Sequence, residues 1–190
     1  MNEAVINPYA APAGDRLEVA TAEPARFYVV SVAKFVCLYI STFGLYHLYW
    51  NYQQWARLKR ATRGNEWPVA RSIFSVFFTH ALYQEIDQHL RRRGTPFTWN
   101  PSAVATAVVV LLIASRILGR FDPEWATALS VACVFPLAML IRRAQQAANA
   151  ACGDAEGSAN ASFTAANIAW IILGVLFWLL VLIGLLLPEA

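Results

Sequence analysis

Long stretches without a formal charge, separated by clusters of arginine, constrain this chain more than any other feature of its sequence. Two of them run from Phe35 to Ala56, with 22 residues, and from Asn167 to Leu187, with 21 residues. A helix needs about 20 mainly apolar residues to cross the hydrocarbon core of a bilayer. Only 14% of the 190 residues are charged, whereas about 25% are charged in an ordinary soluble domain. The sequence therefore predicts an integral membrane protein.

Apolar runs and helix-start signals predict an all-α integral membrane fold with four transmembrane helices. Asn100-Pro101 and Asp122-Pro123 each put an N-cap residue before a proline, which is tolerated at the first position of a helix. These two signals begin the arms of a helical hairpin. The predicted spans cover about residues 31–56, 101–119, 124–141 and 166–187. They belong to a single helical membrane domain over residues 27–187, which follows a flexible tail over residues 1–26.

The segment over about residues 68–93 is predicted to be a helix of a different kind. Its uncharged part has 13 residues, which is short for a spanning helix. Leu82, Ile86 and Leu90 recur at helical spacing among polar residues, which is typical of an amphipathic helix. We therefore expect an amphipathic or re-entrant helix at the cytoplasmic surface. We expect it to pack against residues 144–151, an alanine-rich continuation of the third span into water.

Lysine and arginine residues are concentrated on one side of the predicted bundle. Eight lie between residues 57 and 101, whereas the turn between the hairpin arms contributes Arg120, with Arg116 nearby. Because cytoplasmic loops are enriched in these residues, residues 57–101 and 142–166 are predicted to face the cytoplasm. A bundle of four spans then puts both termini on the outside.

The segment Thr42-Phe43-Gly44-Leu45-Tyr46-His47-Leu48-Tyr49-Trp50 carries the pattern T-F-G-x-Y-x-x-Y-W. In a first membrane helix, this pattern resembles a family of uncharacterised bacterial inner-membrane proteins. Residues 71–78 and 167–174 are also similar to that family, and the resemblance covers most of residues 27–187. It implies a multi-pass protein of the bacterial inner (cytoplasmic) membrane, with periplasmic termini under the orientation above, and it brings no catalytic activity with it.

The aromatic residues of this pattern have two possible roles. Tyr46, Tyr49 and Trp50 are three and four residues apart, so they share one face of a helix near the membrane–water interface. They form either an anchoring and packing belt or a platform for a lipid headgroup or a cation. Gly44 is expected to allow close packing against a neighbouring helix, or a local bend.

Small residues in the third predicted span indicate helix packing. Ala126 and Ser130 are four residues apart, as are Ala128 and Ala132. Such pairs let helix backbones approach closely in lipid. We therefore predict that this span packs against neighbouring helices through these small residues.

The predicted amphipathic helix carries a group of titratable residues, His80, Glu85, Asp87 and His89, termed here the polar cluster. Glu85 and His89 are neighbours on one helical face, because they are four residues apart. The cluster is either a solvated polar face or a site that binds a transition metal or supplies an acid and a base. The sequence has no H-E-x-x-H motif and no paired cysteines, and we predict no metal and no cofactor.

These features favour a non-enzymatic polytopic membrane protein that acts through helix association, as a homo-oligomer or as an accessory subunit. Its expected partners are the lipid bilayer and either a second copy of the chain or another membrane protein, but not nucleic acid. Because no Asp or Glu lies in the interior of the four predicted spans, an intramembrane proton pathway is disfavoured. Two alternatives stay open: an oligomeric channel or small-solute permease, and a membrane-surface enzyme or metal site that uses the polar cluster.

Overall fold

In the computed structural model, which describes residues 25–121 and 124–186, the chain is all helical, and no strand occurs in these two ranges. The predicted all-α class is confirmed. The helices are α1 (Val32–Ser41), α2 (Tyr46–Thr62), α3 (Pro68–Ile73), α4 (Ser75–Arg92), α5 (Pro101–Leu118), α6 (Glu124–Ala132), α7 (Val134–Ala151) and α8 (Ala165–Leu186), with a 3-10 turn at Ser158–Asn160. The predicted tail over residues 1–26 lies outside the described residues, except for Ala25 and Arg26.

Three helical segments are long and apolar enough to cross a membrane: Pro101–Leu118, Trp125–Ala151 and Ala165–Gly184. Trp125–Ala151 comprises most of α6 and all of α7. The rest of the protein covers little of their surface, and in Ala165–Gly184 only 6% of the apolar window is buried. So much exposed apolar surface is rare in a water-soluble monomer and is expected of helices that contact lipid. The structure therefore supports a membrane protein with three candidate spans.

The first predicted span is not one continuous helix, and this part of the sequence-based prediction is corrected. A four-residue turn separates α1 from α2, and its residues Phe43 and Gly44 have φ angles of 53° and 80°. The Thr42 hydroxyl donates to the carbonyl of Leu38 and accepts from the N–H of Tyr46, so it bonds both helices. The two left-handed residues end α1, because a right-handed α-helix needs negative φ at every residue.

The helices α1 and α2 run in opposite directions and form a helical hairpin. The ring of Phe35 contacts that of Trp50, with centroids 5.9 Å apart, and the rings of Tyr39 and His47 lie 6.1 Å apart. Residues earlier in α1 thus meet residues later in α2. The uncharged run that is long enough for one crossing is folded back on itself, so Phe35 at its start lies against Trp50 in its second half.

The turn of this hairpin lies against the middle of α8. Trp178 donates its indole N–H to the carbonyl of Ile40 (2.9 Å), and its ring stacks on Phe43 with centroids 4.0 Å apart. Gly174 approaches the carbonyl of Ser41 so closely that a Cβ at this position would clash. The tip of the α1–α2 hairpin is therefore held about half-way along α8.

The predicted amphipathic segment is present as α3 and α4, which are separated at Phe74. Its apolar stripe, Leu82, Ile86 and Leu90, is buried in one core with the alanines of residues 144–151, and α4 contacts α7 as expected. The end of α7 does not project into water, however, because α4 and the chain before α1 cover it. We refer to α3, α4 and residues 144–151 of α7 as the cap.

Candidate functional site

An extended segment, residues 27–31, lies buried between α2, the end of α7 and the connection to α8, and is termed here the entry segment. Phe27 and Val30 are completely buried, and Tyr28 and Val29 nearly so. A buried extended backbone has N–H and C=O groups that need hydrogen-bond partners. In the entry segment, many of these partners are side-chain amides.

Two glutamines bond the backbone of Tyr28. The Tyr28 N–H donates to Oε1 of Gln54, which belongs to α2, at 2.9 Å. The Tyr28 carbonyl accepts from Nε2 of Gln145, which belongs to α7, at 2.9 Å, and from Nε2 of Gln54 at 3.3 Å. A primary amide carries both donors and an acceptor, so these side chains pair with the chain much as a neighbouring β-strand would.

Two asparagines continue this pattern along the entry segment. Asn149 bonds both backbone groups of Val30, since its Oδ1 accepts from the N–H (3.3 Å) and its Nδ2 donates to the carbonyl (2.9 Å). Asn160, in the 3-10 turn, donates to the Val29 carbonyl at 3.1 Å. The entry segment is thus held by amides from α2, α7 and the α7–α8 connection. We refer to Gln54, Gln145, Asn149 and Asn160 as the amide clamp.

The amide clamp is itself a connected network. Gln54, Gln145 and Asn149 are completely buried, and Gln145 Nε2 donates to Asn149 Oδ1 at 2.6 Å. The indole N–H of Trp50 donates to Gln145 Oε1. A buried polar group left without a partner costs about 1–3 kcal/mol, so the clamp and the entry segment stabilise each other. The four side-chain amides are neutral and supply no general acid or base. What they do in this structure is form hydrogen bonds with a peptide backbone.

The turn that carries Asn160 is fixed by a carboxylate. Asp154 accepts from the backbone N–H groups of Ser158 and Ala159, both at 2.9 Å. These two donors, that of Ala159 first, hold the pKa of the Asp154 carboxyl below its ordinary value, because they stabilise the ionised form. This local pattern orients the α7–α8 connection toward the entry segment.

The predicted aromatic face is divided between the core and the surface. Trp50 is completely buried and Tyr46 nearly so, whereas Tyr49 is 48% exposed. The three rings therefore lie in different environments, although they belong to one helix. Because α2 folds back along α1, Tyr46 and Trp50 pack on Phe35, and of the three rings only Tyr49 stays available to a ligand.

The polar cluster does not come together as one site. His80 bonds the hydroxyl of Thr106 in α5 (3.1 Å), and Glu85 pairs with Arg26 beside the entry segment (3.4 Å).

The other two members of the cluster have different neighbours again. Asp87 accepts from Arg91 (2.7 Å) and from the indole of Trp99 (3.0 Å). The ring of His89 packs edge-on against Phe27. Within residues 25–121 and 124–186, no three His, Cys, Asp or Glu side chains are grouped so that they could hold a metal ion.

The predicted packing residues have three different environments. Gly44 lies in the hairpin turn, where its positive φ produces the bend. Ala126 is buried, and Ser130 donates to the carbonyl of Ser115 in α5 (2.8 Å), so this pair serves contact inside the protein. Ala128 and Ala132 are exposed and form a small-residue pair on the outer surface of α6.

Reasoning from the sequence missed the amide clamp. Its signal is the presence of Gln145 and Asn149 four residues apart within an alanine-rich stretch. The buried side of that stretch also contains Ile141 and Ala148, so the amides lie on the apolar stripe of α7 and not on a solvated face. Two amides on an apolar stripe indicate a buried hydrogen-bond network.

The comparisons with known proteins provide no relative for this chain. It matches no protein-family model, no curated protein and no solved structure. The resemblance carried by the T-F-G-x-Y-x-x-Y-W pattern accordingly stays a prediction.

Proposed function

We propose that this chain is a non-enzymatic, multi-pass protein of the bacterial inner membrane that acts through lateral association of its helices, as a homo-oligomer or as an accessory subunit. The observation that carries the proposal is the outward-facing pair Ala128 and Ala132 on a helix long and apolar enough to span. The other small-residue pair of α6, Ala126 and Ser130, makes contacts inside the protein, since Ser130 bonds α5. Small residues on an exposed helix face favour close approach of a second helix in lipid.

The proposed membrane topology has three crossings, by α5, by α6 together with α7, and by α8, and the α1–α2 hairpin is re-entrant. This replaces the fourth crossing expected from the sequence. The antiparallel contacts within the hairpin and its contact with the middle of α8 support it. The 10 residues of α1 extend about 15 Å at 1.5 Å per residue, which is about half of a 30 Å hydrocarbon core.

The proposed orientation puts the cap in the cytoplasm. The eight lysine and arginine residues between 57 and 101 support this, by the positive-inside rule. A re-entrant hairpin returns the chain to the side on which it entered, so residue 25 is cytoplasmic in this topology and the C-terminus is on the opposite side. This revises the expectation that both termini are outside.

The α3 helix and the start of α4 are proposed to lie in the membrane–water interface. Large apolar side chains are exposed there, namely Trp67, Val69, Ile73, Phe74 and Phe77. A short helix with exposed aromatic residues beside a basic segment suits the headgroup boundary. The opposite stripe of α4 is buried in the core, so the helix pair would join the cap to the bilayer.

The association is tested with the double variant Ala128→Leu/Ala132→Leu, reconstituted in liposomes. Leucine at both positions separates the helix backbones, and we expect the oligomer to dissociate about tenfold more readily. Chemical cross-linking across a range of protein-to-lipid ratios, with native mass spectrometry of the extracted protein, measures the oligomeric state. Ala169→Leu is the matched control, because Ala169 is also an exposed alanine on a candidate spanning helix.

A wild-type chain that stays monomeric at every protein-to-lipid ratio would contradict self-association. Association with a different membrane protein is then tested by photo-crosslinking from position 128 in native membranes. Loss of the oligomer in both the double variant and the Ala169→Leu control would contradict the assignment of the contact to α6.

A further inference from the structure

A cavity of about 530 Å³ lies beside the entry segment, at the start of α8. Its walls come from the entry segment, α1, α2, the α7–α8 connection and the first turn of α8. The side chains that give it its chemistry are Tyr28, Lys34, Tyr49, Arg57, Asp154 and Asn160. Cavities of this size hold small molecules or headgroups.

Lys34 contributes a buried positive charge without an acidic partner. Its side chain is almost completely buried, with 3% of the residue exposed. The ammonium donates to Oδ1 of Asn160 (2.8 Å) and to the carbonyl of Ser162 (2.7 Å), both of which are neutral. An ammonium has three N–H donors, and within the described part of the chain the third has no acceptor. A buried cation is costly unless an anion accompanies it.

Arg57 contributes a second cation to the walls of the cavity. Its guanidinium lies over the Tyr28 ring, 5.0 Å from the centroid. The buried Nε of Arg57 has no hydrogen-bond partner among the described residues, and neither described ion pair includes this side chain. A guanidinium held by its face keeps its N–H edge for an oxyanion, which it binds through paired hydrogen bonds.

Asp154 is the one carboxylate among the lining residues, and it is engaged elsewhere. Its two oxygens accept from the N–H groups of Ser158 and Ala159. With Lys34 and Arg57 each at +1 and Asp154 at −1, the charge of the cavity walls is +1. A ligand with a single negative charge would neutralise the site.

We propose that this cavity binds a singly charged phosphodiester, as in the headgroup of an anionic phospholipid or in a water-soluble glycerophosphodiester. Thr164 and Asn167 line the cavity where α8 begins, which is the level of the headgroups if α8 crosses the bilayer. The phosphate oxygens bond the free N–H groups of Lys34 and Arg57. The proposal depends on the crossing by α8 and not on association of the chain with a partner.

The test compares lipid retention by full-length wild-type protein with that of Arg57→Gln. Each protein is incubated in mild detergent with phosphatidylglycerol or with phosphatidylcholine and examined by native mass spectrometry. We expect one phosphatidylglycerol per protomer and little phosphatidylcholine. In Arg57→Gln we expect about tenfold weaker binding, since the charge-assisted hydrogen bonds from the guanidinium to the phosphate are lost.

Arg60→Gln is the matched control, because Arg60 is an exposed arginine one turn further along α2 and does not line the cavity. It should bind phosphatidylglycerol as the wild type does, and Arg57→Lys should recover part of the loss. Thermal unfolding of each variant shows whether it is folded. Arg57 is chosen in preference to Lys34 because Lys34 also joins α1 to the α7–α8 connection.

Competition with soluble glycerophosphoglycerol identifies the source of the ligand. Displacement of the lipid at millimolar concentration supports recognition of the phosphodiester alone, whereas retention of the lipid supports a site for the intact amphiphile. Equal retention of both lipids, or equal phosphatidylglycerol binding by wild type and folded Arg57→Gln, would overturn the proposal. Oligomeric state is measured in the same spectra, so failure of the lipid site and failure of association are separate results.

Discussion

At the scale of single residues, Asn149 is one of two side chains that bond both backbone groups of a residue in the entry segment, the other being Gln54. Asn149 bonds both the N–H and the carbonyl of Val30, and it accepts a third hydrogen bond from Gln145. All three residues are buried, so water is poorly placed to replace a lost bond. Removing the amide therefore leaves unpaired polar groups in the core.

We expect Asn149→Ala to lower the free energy of unfolding by about 3 kcal/mol, because each unpaired buried group costs about 1–3 kcal/mol. Unfolding by heat or by SDS in mild detergent measures the change. Gln146→Ala is the control, since Gln146 is on the same helix but contacts Arg143 at the edge of the cap, and its loss should be below about 0.5 kcal/mol. Equal stability of Asn149→Ala and wild type would show that the amide clamp contributes nothing to folding.

The residue scale is also where prediction from sequence was weakest. The polar cluster was recognised by composition, but its members do not form one metal-binding group in the described residues. The amide clamp was not recognised, since an amide within an alanine-rich helix is also compatible with a solvated face. Whether the amide is solvated or buried depends on what packs against the helix. The entry segment packs there, and its residue Val30 is separated from Asn149 by 119 residues.

At the scale of elements, Gly44 decides whether residues 32–62 form one helix or two. Its φ of 80° belongs to the left-handed region, and a Cβ there would lie 3.3 Å from the hydroxyl oxygen of Tyr39. A glycine in this conformation is not strained, whereas an alanine is. In one continuous helix over residues 32–62, the same glycine would instead be less stable than an alanine. The change in the free energy of unfolding on substitution of Gly44 therefore has opposite signs for one helix and for two.

We expect Gly44→Ala to destabilise the protein by about 1–2 kcal/mol, which is the cost of a left-handed conformation for a residue with a Cβ. In a continuous spanning helix the same change would stabilise by up to about 1 kcal/mol, because alanine is the better helix former. Thermal unfolding in detergent gives the sign directly. Gly184→Ala is the control, since Gly184 lies in α8 with open space around it, and this change should be neutral or slightly stabilising.

Two of the elements after residue 100 were predicted closely from the sequence. The expected spans 101–119 and 166–187 correspond to α5 (Pro101–Leu118) and α8 (Ala165–Leu186). Asn100 caps α5 as expected, because its side chain accepts from the N–H of Ala103 (3.0 Å). For α5 and α8, the helix bounds predicted from caps and hydropathy agree with the structure. Little of either helix is covered by other elements, so tertiary contacts have little influence on where it begins and ends.

At the scale of the whole molecule, the hairpin and the amide clamp together determine the number of crossings in the proposed topology. Tyr28, before α1, bonds Gln54, in the middle of α2. A helix that crossed the bilayer once between these residues would separate them by its full thickness, about 30 Å. Their contact is the reason that we propose three crossings and a re-entrant hairpin.

We expect cysteines at positions 25 and 60 to react with a water-soluble maleimide from the same side of the membrane. Ala25→Cys, Arg60→Cys and Phe121→Cys are each made in a chain whose Cys37, Cys133 and Cys152 are replaced by serine. All three positions are exposed. Labelling of intact cells against that of inverted vesicles should separate position 121 from the other two. If positions 25 and 121 were labelled from one side and 60 from the other, the hairpin would instead be a full crossing.

The sequence by itself determined the membrane class and the all-α fold, because runs without charge can be read from the chain without knowing its neighbours. It also predicted α5, α8 and the apolar stripe of α4. Only the tertiary structure decided that the run from Phe35 to Ala56 folds back. Hydropathy is the same for one long helix and for two short ones. Whether the run forms one helix or two depends on the contacts of the turn with Gly174 and Trp178, and on the amides that bond Tyr28 and Val30. These contacts join residues that are distant in sequence.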